Sequence, residues 1–329
     1  MKKKSTEDID SSEVINSKTP DIKPSPDTHT GELVVSREKV TFNGKECSGD
    51  DPFIDINKDD VTSLTIKDLY RINDDTFNDF INLRSVTLED PLDLRYNAFK
   101  GCRSFTEFIV PEKNPELCAI DGLLVFKDEM DLVMIPSGKG PHVRIPEGIR
   151  SLYFLSLGSC PDLISVEFPS TITYIDCLTH EYNKKLKSFS VAESNPSYMA
   201  EDGVLFTKNK GILIAFPNDK GTEYTIPFGV AVIGEGAFSG CSQLRTLTIP
   251  SSVVRFEYDC LSDCINLEEI HVQAEICPSF HSEDFPFSDL KKKKSTLYVP
   301  HGTKKLYEEN PRWGVFEMIK EEQIPRQME

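Results

Sequence analysis

Apolar residues recur along this chain in a fixed pattern: one, then others three, six and eight positions later. Cys241, Leu244, Leu247 and Ile249 show it, as do Phe80, Leu83, Val86 and Leu88. The same pattern returns at Cys102, Phe105, Phe108 and Val110, at Cys160, Leu163, Val166 and Phe168, and at Cys264, Leu267, Ile270 and Val272. The last two members are two apart, so they share one face of a short strand. The earlier ones, three apart, suit a turn or short helical segment that feeds the strand. One such unit cannot bury its apolar face alone. Stacked neighbours bury a continuous core and pair their strands into a parallel sheet.

The step from Cys241 to Cys264 is 23 residues, inside the range of ~20–29 for leucine-rich repeats. A longer period contains it. Displaced by 81 residues, the stretch 105–175 falls on 186–256 without a gap, so that Asn114-Pro115 meets Asn195-Pro196 and Asp121-Gly122 meets Asp202-Gly203. Cys160 likewise meets Cys241, and Pro169-Ser170 meets Pro250-Ser251. Roughly three in ten positions are identical over the overlap, a register chance does not hold. After each Asp-Gly comes an apolar run, a polar break and a second apolar run: Leu123 to Phe126 then Leu132 to Ile135, and Val204 to Phe206 then Ile212 to Phe216. These read as β-hairpins inserted into the solenoid. The predicted fold is a leucine-rich repeat solenoid with a parallel β-sheet, short convex turns or helical segments, and inserted hairpins. Asn97-Ala98-Phe99 and Gly236-Ala237-Phe238 recur just before the template, and their rings are expected to fill the space between layers.

Composition divides the chain. Residues 1–30 are polar and charged with almost no apolar residues, so they read as a disordered tail. Residues 31–60 carry Leu33-Val34-Val35 and Val40-Thr41-Phe42 and read as an N-terminal cap. The array spans 61–272. Residues 273–329 hold a linker, with Pro278, Pro286 and the run Lys291 to Lys294, and a C-terminal cap in which Trp313, Phe316 and Ile319 lie over the last layer.

Charge and motifs narrow the chemistry. A formal net charge of −17 disfavours nucleic acid and anionic membranes, because both need basic surface. No apolar run approaches the ~20 residues that span a bilayer. The opening MKKKSTEDIDSSEV lacks the apolar core of a secretion signal, which as written favours a cytoplasmic chain. The nine cysteines are an odd number, and Cys102, Cys160, Cys241 and Cys264 share one template position. That spacing belongs to the repeat, so they read as a buried column of small hydrophobes with no regular disulfide framework. The six histidines are scattered, and no metal-binding, phosphate-binding or nucleophile motif occurs. No catalytic residue, metal site or cofactor is expected, and an enzyme is improbable on these residues.

Three segments together carry a family resemblance. VIGEGAFSGCSQLRTLTIPSSVVRF resembles the BspA-like leucine-rich repeats found in many bacterial surface proteins and some protist proteins. NPSYMAEDGVLFTKNKGILIAFPNDKGTEYTIPFGV is similar to a second element of that family, and STLYVPHGTKKLYEENPRWGVFEMIKEE to its C-terminal cap. The resemblance covers about residues 60–320. The sequence departs from the pattern at 152–160, where Leu155-Ser156-Leu157 replaces the Ala-Phe step, and at 176–185. The resemblance implies a non-enzymatic scaffold that binds a protein partner, in particular a host, matrix or partner-cell protein, from a cell surface. The missing signal favours the alternative, a cytoplasmic interaction scaffold.

Residues that alternate with the core along each strand face outward. They are Ser85 and Thr87, Glu107 and Ile109, Ser165 and Glu167, Ser188 and Ser190, Thr246 and Thr248, and Glu269 and His271. This is the candidate binding face. It is small and polar in its middle, acidic towards several edges and poor in the aromatics that anchor tight interfaces. The two ends of the chain are expected to differ. Deleting residues 1–30 leaves the melting temperature unchanged, since few apolar groups are lost. The spacing of Leu297, Val299, Tyr307, Trp313, Phe316 and Ile319 suits a strand followed by a short amphipathic helix, and deleting 297–329 removes these side chains, each contributing ~1.5–3 kcal/mol if buried. That truncation is expected to be insoluble, and a soluble product with an unchanged melting temperature refutes the capping role.

Overall fold

A computed structural model describes residues 31–37, 39–47, 56–73, 76–95, 97–152, 157, 160–176, 183–281 and 295–324. Residues 1–30, expected to be a disordered tail, the lysine run, and Leu155 and Ser156 therefore lie outside the described residues. Along the chain come β1 (Glu32–Val35), β2 (Val40–Phe42), β3 (Lys45–Cys47), β4 (Ser63–Ile66), β5 (Arg71–Ile72), β6 (Ser85–Leu88), β7 (Asp93–Leu94) and β8 (Glu107–Ile109). A meander follows, β9 (Leu117–Ile120), β10 (Leu123–Phe126) and β11 (Asp131–Met134). The repeats resume with β12 (His142–Arg144), β13 (Ser151–Leu152), β14 (Ser165–Phe168), β15 (Tyr174–Ile175) and β16 (Ser188–Val191). A second meander is β17 (Tyr198–Glu201), β18 (Val204–Thr207) and β19 (Ile212–Ala215). Then come β20 (Glu223–Thr225), β21 (Val232–Ile233), β22 (Thr246–Ile249), β23 (Arg255–Phe256), β24 (Glu269–Val272) and β25 (Ser279–Phe280). The end is β26 (Thr296–Pro300), the helix α1 (Lys304–Glu309) and β27 (Met318–Glu322).

Each repeat contributes one longer front strand and, in most turns, one two-residue back strand. The front strands form three sheets, ordered β3-β2-β1-β4-β6-β8, β12-β14-β16 and β20-β22-β24-β26-β27. Within the repeats the pairing is parallel and in register, for example Leu247 opposite Ile270 and Ile270 opposite Leu297. The back strands pair β5 with β7, and join β15-β13-β11-β10-β9 and β17-β18-β19-β21-β23-β25. Of the turns and helical segments expected between strands, the described residues of the array show turns. The reason is length: about 22–23 residues already hold two strands, which leaves too few for a helix that needs several turns to be stable.

The meanders explain why Asn-Pro and Asp-Gly recur. Asp202 and Gly203 both adopt positive φ, 47° and 74°, and so do Asp121 and Gly122, at 50° and 75°. Two residues of that kind make the turn whose twist matches a β-hairpin. A sequence reading of one hairpin per insert misses the first strand of each, β9 and β17, which the turn joins to β10 and β18. Asn195 is buried and starts the second meander: its Oδ1 accepts from the Ser197 and Tyr198 amides at 2.9 and 2.8 Å. Its Nδ2 donates to the carbonyls of Pro169 and Ile172, at 2.8 and 2.9 Å. Asn114 does the same for the first, accepting from Glu116 and Leu117 at 3.1 and 3.0 Å. Such fully used side chains allow a buried loop to leave the repeat without orphaned amides.

The meander tips also reach the front. The Phe108 and Phe189 amides donate to the carbonyls of Gly122 and Gly203, at 2.9 and 2.8 Å. A Cβ on Gly122 would sit 2.9 Å from that of Glu107, and one on Gly203 2.9 Å from that of Ser188. Only glycine fits both the φ and the approach. These tips stand where the next front strand would pair, and so divide the front into three.

The core is one column of side chains per template position. Leu244, Leu247, Ile249, Leu267, Ile270 and Val272 are wholly buried. Phe99 and Phe238 fill the space between layers as expected, stacking on Phe77 and Phe216 at ring separations of 5.6 and 5.1 Å. At the C-terminal end Tyr307 and Trp313 are buried; the Tyr307 hydroxyl donates to the Ala274 carbonyl at 2.7 Å and Trp313 Nε1 to that of Pro278 at 2.9 Å. Ile319 differs from expectation. It lies in β27, opposite Leu297, and not in an amphipathic helix, because the chain after Trp313 turns back to add another rung to the front sheet. Leu247→Ala is expected to cost about 2–5 kcal/mol, as for a buried leucine. Thr248→Ala, on the opposite side of the same strand, is expected to cost under about 0.5 kcal/mol. Chemical denaturation of both variants measures the difference, and equal losses refute the register.

Candidate binding face

The alternation of each front strand puts two side chains outward, and the register aligns them into rows. In the C-terminal sheet Glu223, Thr246, Glu269, Thr296 and Met318 form one row, and Thr225, Thr248, His271, Tyr298 and Lys320 the other. In the middle sheet the rows are His142, Ser165, Ser188 and Arg144, Glu167, Ser190. In the N-terminal sheet they are Ser63, Ser85, Glu107 and Thr65, Thr87, Ile109. The twelve residues expected from the sequence fall on these rows in all three sheets. The meander tips keep them from forming one unbroken surface.

Residues absent from the sequence-derived set complete the rows: Ser63, Thr65, His142, Arg144, Glu223, Thr225, Thr296, Tyr298, Met318 and Lys320. β12 and β20 escaped notice because their repeats carry Ser137 and Asn218 where the template has cysteine. The segments HVRIP and EYTIP, which end like TLTIP, were the available signal.

Electrostatics on the face are local and paired. Arg144 meets Glu167 at 3.0 Å, and His142 Nδ1 lies 2.8 Å from Ser165 Oγ. At the C-terminal end His271 stacks on Tyr298 with ring centroids 4.4 Å apart, and its Nδ1 lies 2.8 Å from Glu322. The Tyr298 hydroxyl donates to Glu269 at 3.3 Å, and the Lys320 ammonium stands 5.5 Å from the Tyr298 ring centre. Both faces of that ring are thus covered, which makes this end a rigid wall. Elsewhere the rows offer hydroxyls, carboxylates and the half-exposed Ile109. Such groups donate and accept hydrogen bonds. Among the described residues no group of three or more histidine, cysteine or acidic side chains is placed to hold a metal ion.

The cysteine column is interior. The thiols of Cys102, Cys160, Cys241 and Cys264 donate to carbonyls of Phe77, Leu157, Phe216 and Phe238, at 3.0, 3.2, 3.5 and 3.1 Å. Asn183 continues the column and its Oδ1 accepts from the Cys160 amide at 2.8 Å. Burial pushes the Cys102 and Cys160 thiols up to about 12, and those of Cys241 and Cys260 well above their ordinary value. Thiols held neutral in this way are poor nucleophiles.

Repeats of this length, stacked through parallel front strands, define a leucine-rich repeat protein. The match is to the BspA type leucine rich repeat region, in six copies over residues 56–118, 139–202 and 214–298. That is more than half of the chain, and the chain belongs to the BspA-type leucine-rich repeat family. No curated protein matches it. Among solved structures it is similar to a leucine-rich repeat protein from Eubacterium ventriosum (18% identity, TM-score 0.47, covering 83% of this chain and 69% of that one). It is also similar to the pneumococcal vaccine antigen PcpA (14% identity, TM-score 0.40, covering 90% of each). A third is a leucine rich cell surface protein from Faecalibacterium prausnitzii (17% identity, TM-score 0.39, covering 80% of each).

Thiol labelling tests the column. In the native protein at pH 8, Cys47, Cys118 and Cys277 are expected to react with a small thiol reagent before Cys102, Cys160, Cys241, Cys260 and Cys264. Denatured without reductant, all nine cysteines are expected to titrate, and blocked thiols there contradict it. Alkali follows with a definite sign: unfolded thiols ionise near 9 and buried ones only near about 12. The unfolded state loses protons first, so stability falls as pH rises across that window.

Proposed function

We propose that this protein is a non-enzymatic scaffold whose front face binds a protein partner. One observation carries the reading: two rows of outward side chains hold register across five adjacent strands, from β20 to β27. A flat array of hydroxyls and carboxylates on a rigid ladder suits a broad, polar contact, since solenoids bind through such extended faces. Few aromatic anchors stand on it, so its affinity rests on area and hydrogen bonds more than on a single hot spot. Membership of the BspA-type family supports adhesion to a host, matrix or partner-cell protein from a cell surface. Among the described residues no helix is long and apolar enough to cross a membrane.

The test compares surfaces on the full chain. Beads coated with the protein are offered to cultured cells and to fibronectin, laminin and collagen layers, and retention under flow is counted. Thr246→Arg with Thr248→Arg crowds the front rows, and Lys208→Glu alters an exposed side chain off the front rows. The front variant is expected to lose about tenfold or more of the retention, and the other variant none. Equal retention by both places binding elsewhere. Protease shaving of intact source cells tests the location, and full resistance of the chain while surface markers are cut argues against display.

A further inference from the structure

The two meanders meet the preceding back strand differently. At the second seam, between β15 and β17, the Ile175 amide donates to the Tyr198 hydroxyl at 2.9 Å. Tyr198 is buried and closes that gap. At the first seam, between β7 and β9, the 81-residue period puts Leu94 at the place of Ile175 and Leu117 at the place of Tyr198. Leucine has no hydroxyl. The Asp93 and Arg95 amides donate to the carbonyls of Tyr70 and Ile72, at 2.9 and 3.1 Å. Leu94, between them, therefore turns its amide to the opposite side of β7, towards β9.

β9 has an open edge as well. Among the described residues it pairs only with β10. Ile120 and Leu123 flank the two-residue turn and form its hydrogen-bonded pair; bonded pairs alternate along a hairpin. Ala119, one step back, thus points its amide and carbonyl away from β10. The Leu117 amide also points that way and is already taken by Asn114 Oδ1 at 3.0 Å. Two strand edges with unused backbone groups face one gap, which is a template for a further strand.

A groove of about 920 Å³ lies beside this seam, at the bends that lead into the back strands, and is lined by Asp93 of β7 and by Glu116 and Phe126 next to β9. Tyr70, 81% exposed, and Phe126, 41% exposed, stand in it as apolar contacts. Asp68, Asp90, Asp93 and Glu116 rim it, against one lining cation, Arg37. Asp93 is paired with Arg71 at 2.6 Å, and Lys113 lies near Asp90 and Asp68 while bonded to Glu89. On the side of Glu116 stands Lys127, whose ammonium donates to the carbonyls of Glu112 and Asn114, so among the lining residues four carboxylates face the single cation Arg37. At the second seam the matching positions of Asp93, Glu116 and Phe126 hold Tyr174, Ser197 and Thr207, so the chemistry is particular to the first.

We propose that the gap between β7 and β9 accepts an extended peptide segment with alternating basic and apolar side chains, which adds as a strand to the β9 edge. Backbone groups supply the affinity in such strand addition, and alternate side chains the choice of partner. Apolar side chains of the guest lie against Tyr70 and Phe126, and its lysines or arginines reach the carboxylate rim. The site is separate from the front face and does not depend on it.

The probe is a seven-residue peptide of alternating lysine and valine with blocked ends and a fluorescent label. It is titrated into the full chain at low salt and followed by anisotropy, with amide hydrogen exchange read at Ala119. Saturable binding with slowed exchange at Ala119 is expected. Glu116→Lys with Asp90→Lys is expected to weaken it about tenfold or more, and Leu117→Tyr, which installs the seal of the second seam, to abolish it. Because Leu117 is buried, Ala119→Pro serves as a second variant. It removes an outward amide without touching the β9–β10 bonds, and proline is tolerated on an edge of this kind. Its melting temperature is expected to stay near that of the parent while binding falls. A peptide with glutamate for lysine, or with a central proline, is expected not to bind, and Thr248→Arg on the front face to change nothing. Absence of saturable binding overturns the proposal. So does unchanged affinity in folded Ala119→Pro, or binding without protection at Ala119.

Discussion

No single turn of this chain can bury its own apolar side chains. Each layer is closed only by the layer above and below it, and the backbone ladder between them sets where every side chain goes. The amide of Glu268 bonds to the carbonyl of Arg245, and that of Arg245 to Thr222, at 2.8 and 2.7 Å. Because this link repeats at a nearly constant residue step, identical positions stack into columns: leucine and isoleucine inside, hydroxyls outside, cysteine and asparagine at the bend. Steps of 22 and 23 residues both keep the strands in register, because the turns absorb the difference; a one-residue slip within a strand would instead turn its side chains to the other face. The order of the outward rows is therefore a by-product of core burial.

The meanders are the places where the chain leaves this rule, and a buried asparagine starts each departure. Asn114 and Asn195 supply the hydrogen bonds that a missing ladder neighbour would have made. The Asp-Gly turns let a hairpin tip stand against Glu107 or Ser188. In exchange, the front surface becomes three short sheets with different side chains on each. His142 and Arg144 belong to the middle one, and Glu223 and Thr225 take the same places in the next.

Much of this was legible in the sequence, for a physical reason. A core column demands the same size and polarity at each step, so Cys241, Leu244, Leu247 and Ile249 announce both the period and the strand. The outward residues follow from alternation alone. What could not be read lies where the column is interrupted. Ser137 and Asn218 hid the strands β12 and β20. Tyr298 and Lys320 lie beyond a longer step than the others. The two-residue back strands, such as Val232–Ile233 and Arg255–Phe256, are too short to show a period. Ile319 looked helical by spacing, although its partner across the sheet, Leu297, assigns it to a strand.

The 81-residue unit has a consequence for reach. It starts and ends on the same backbone pattern, Glu107 at one end and Ser188 at the other, each pressed against the glycine of its own hairpin tip. Duplicating such a unit joins surfaces that already fit, so a gene can lengthen the protein without redesigning either terminus. Every copy would add three to four ladder spacings, roughly 14–19 Å. The distance from the first front strand to the last then becomes a quantity that recombination can adjust in fixed increments, like links added to a chain, while the packing at either end stays as it is.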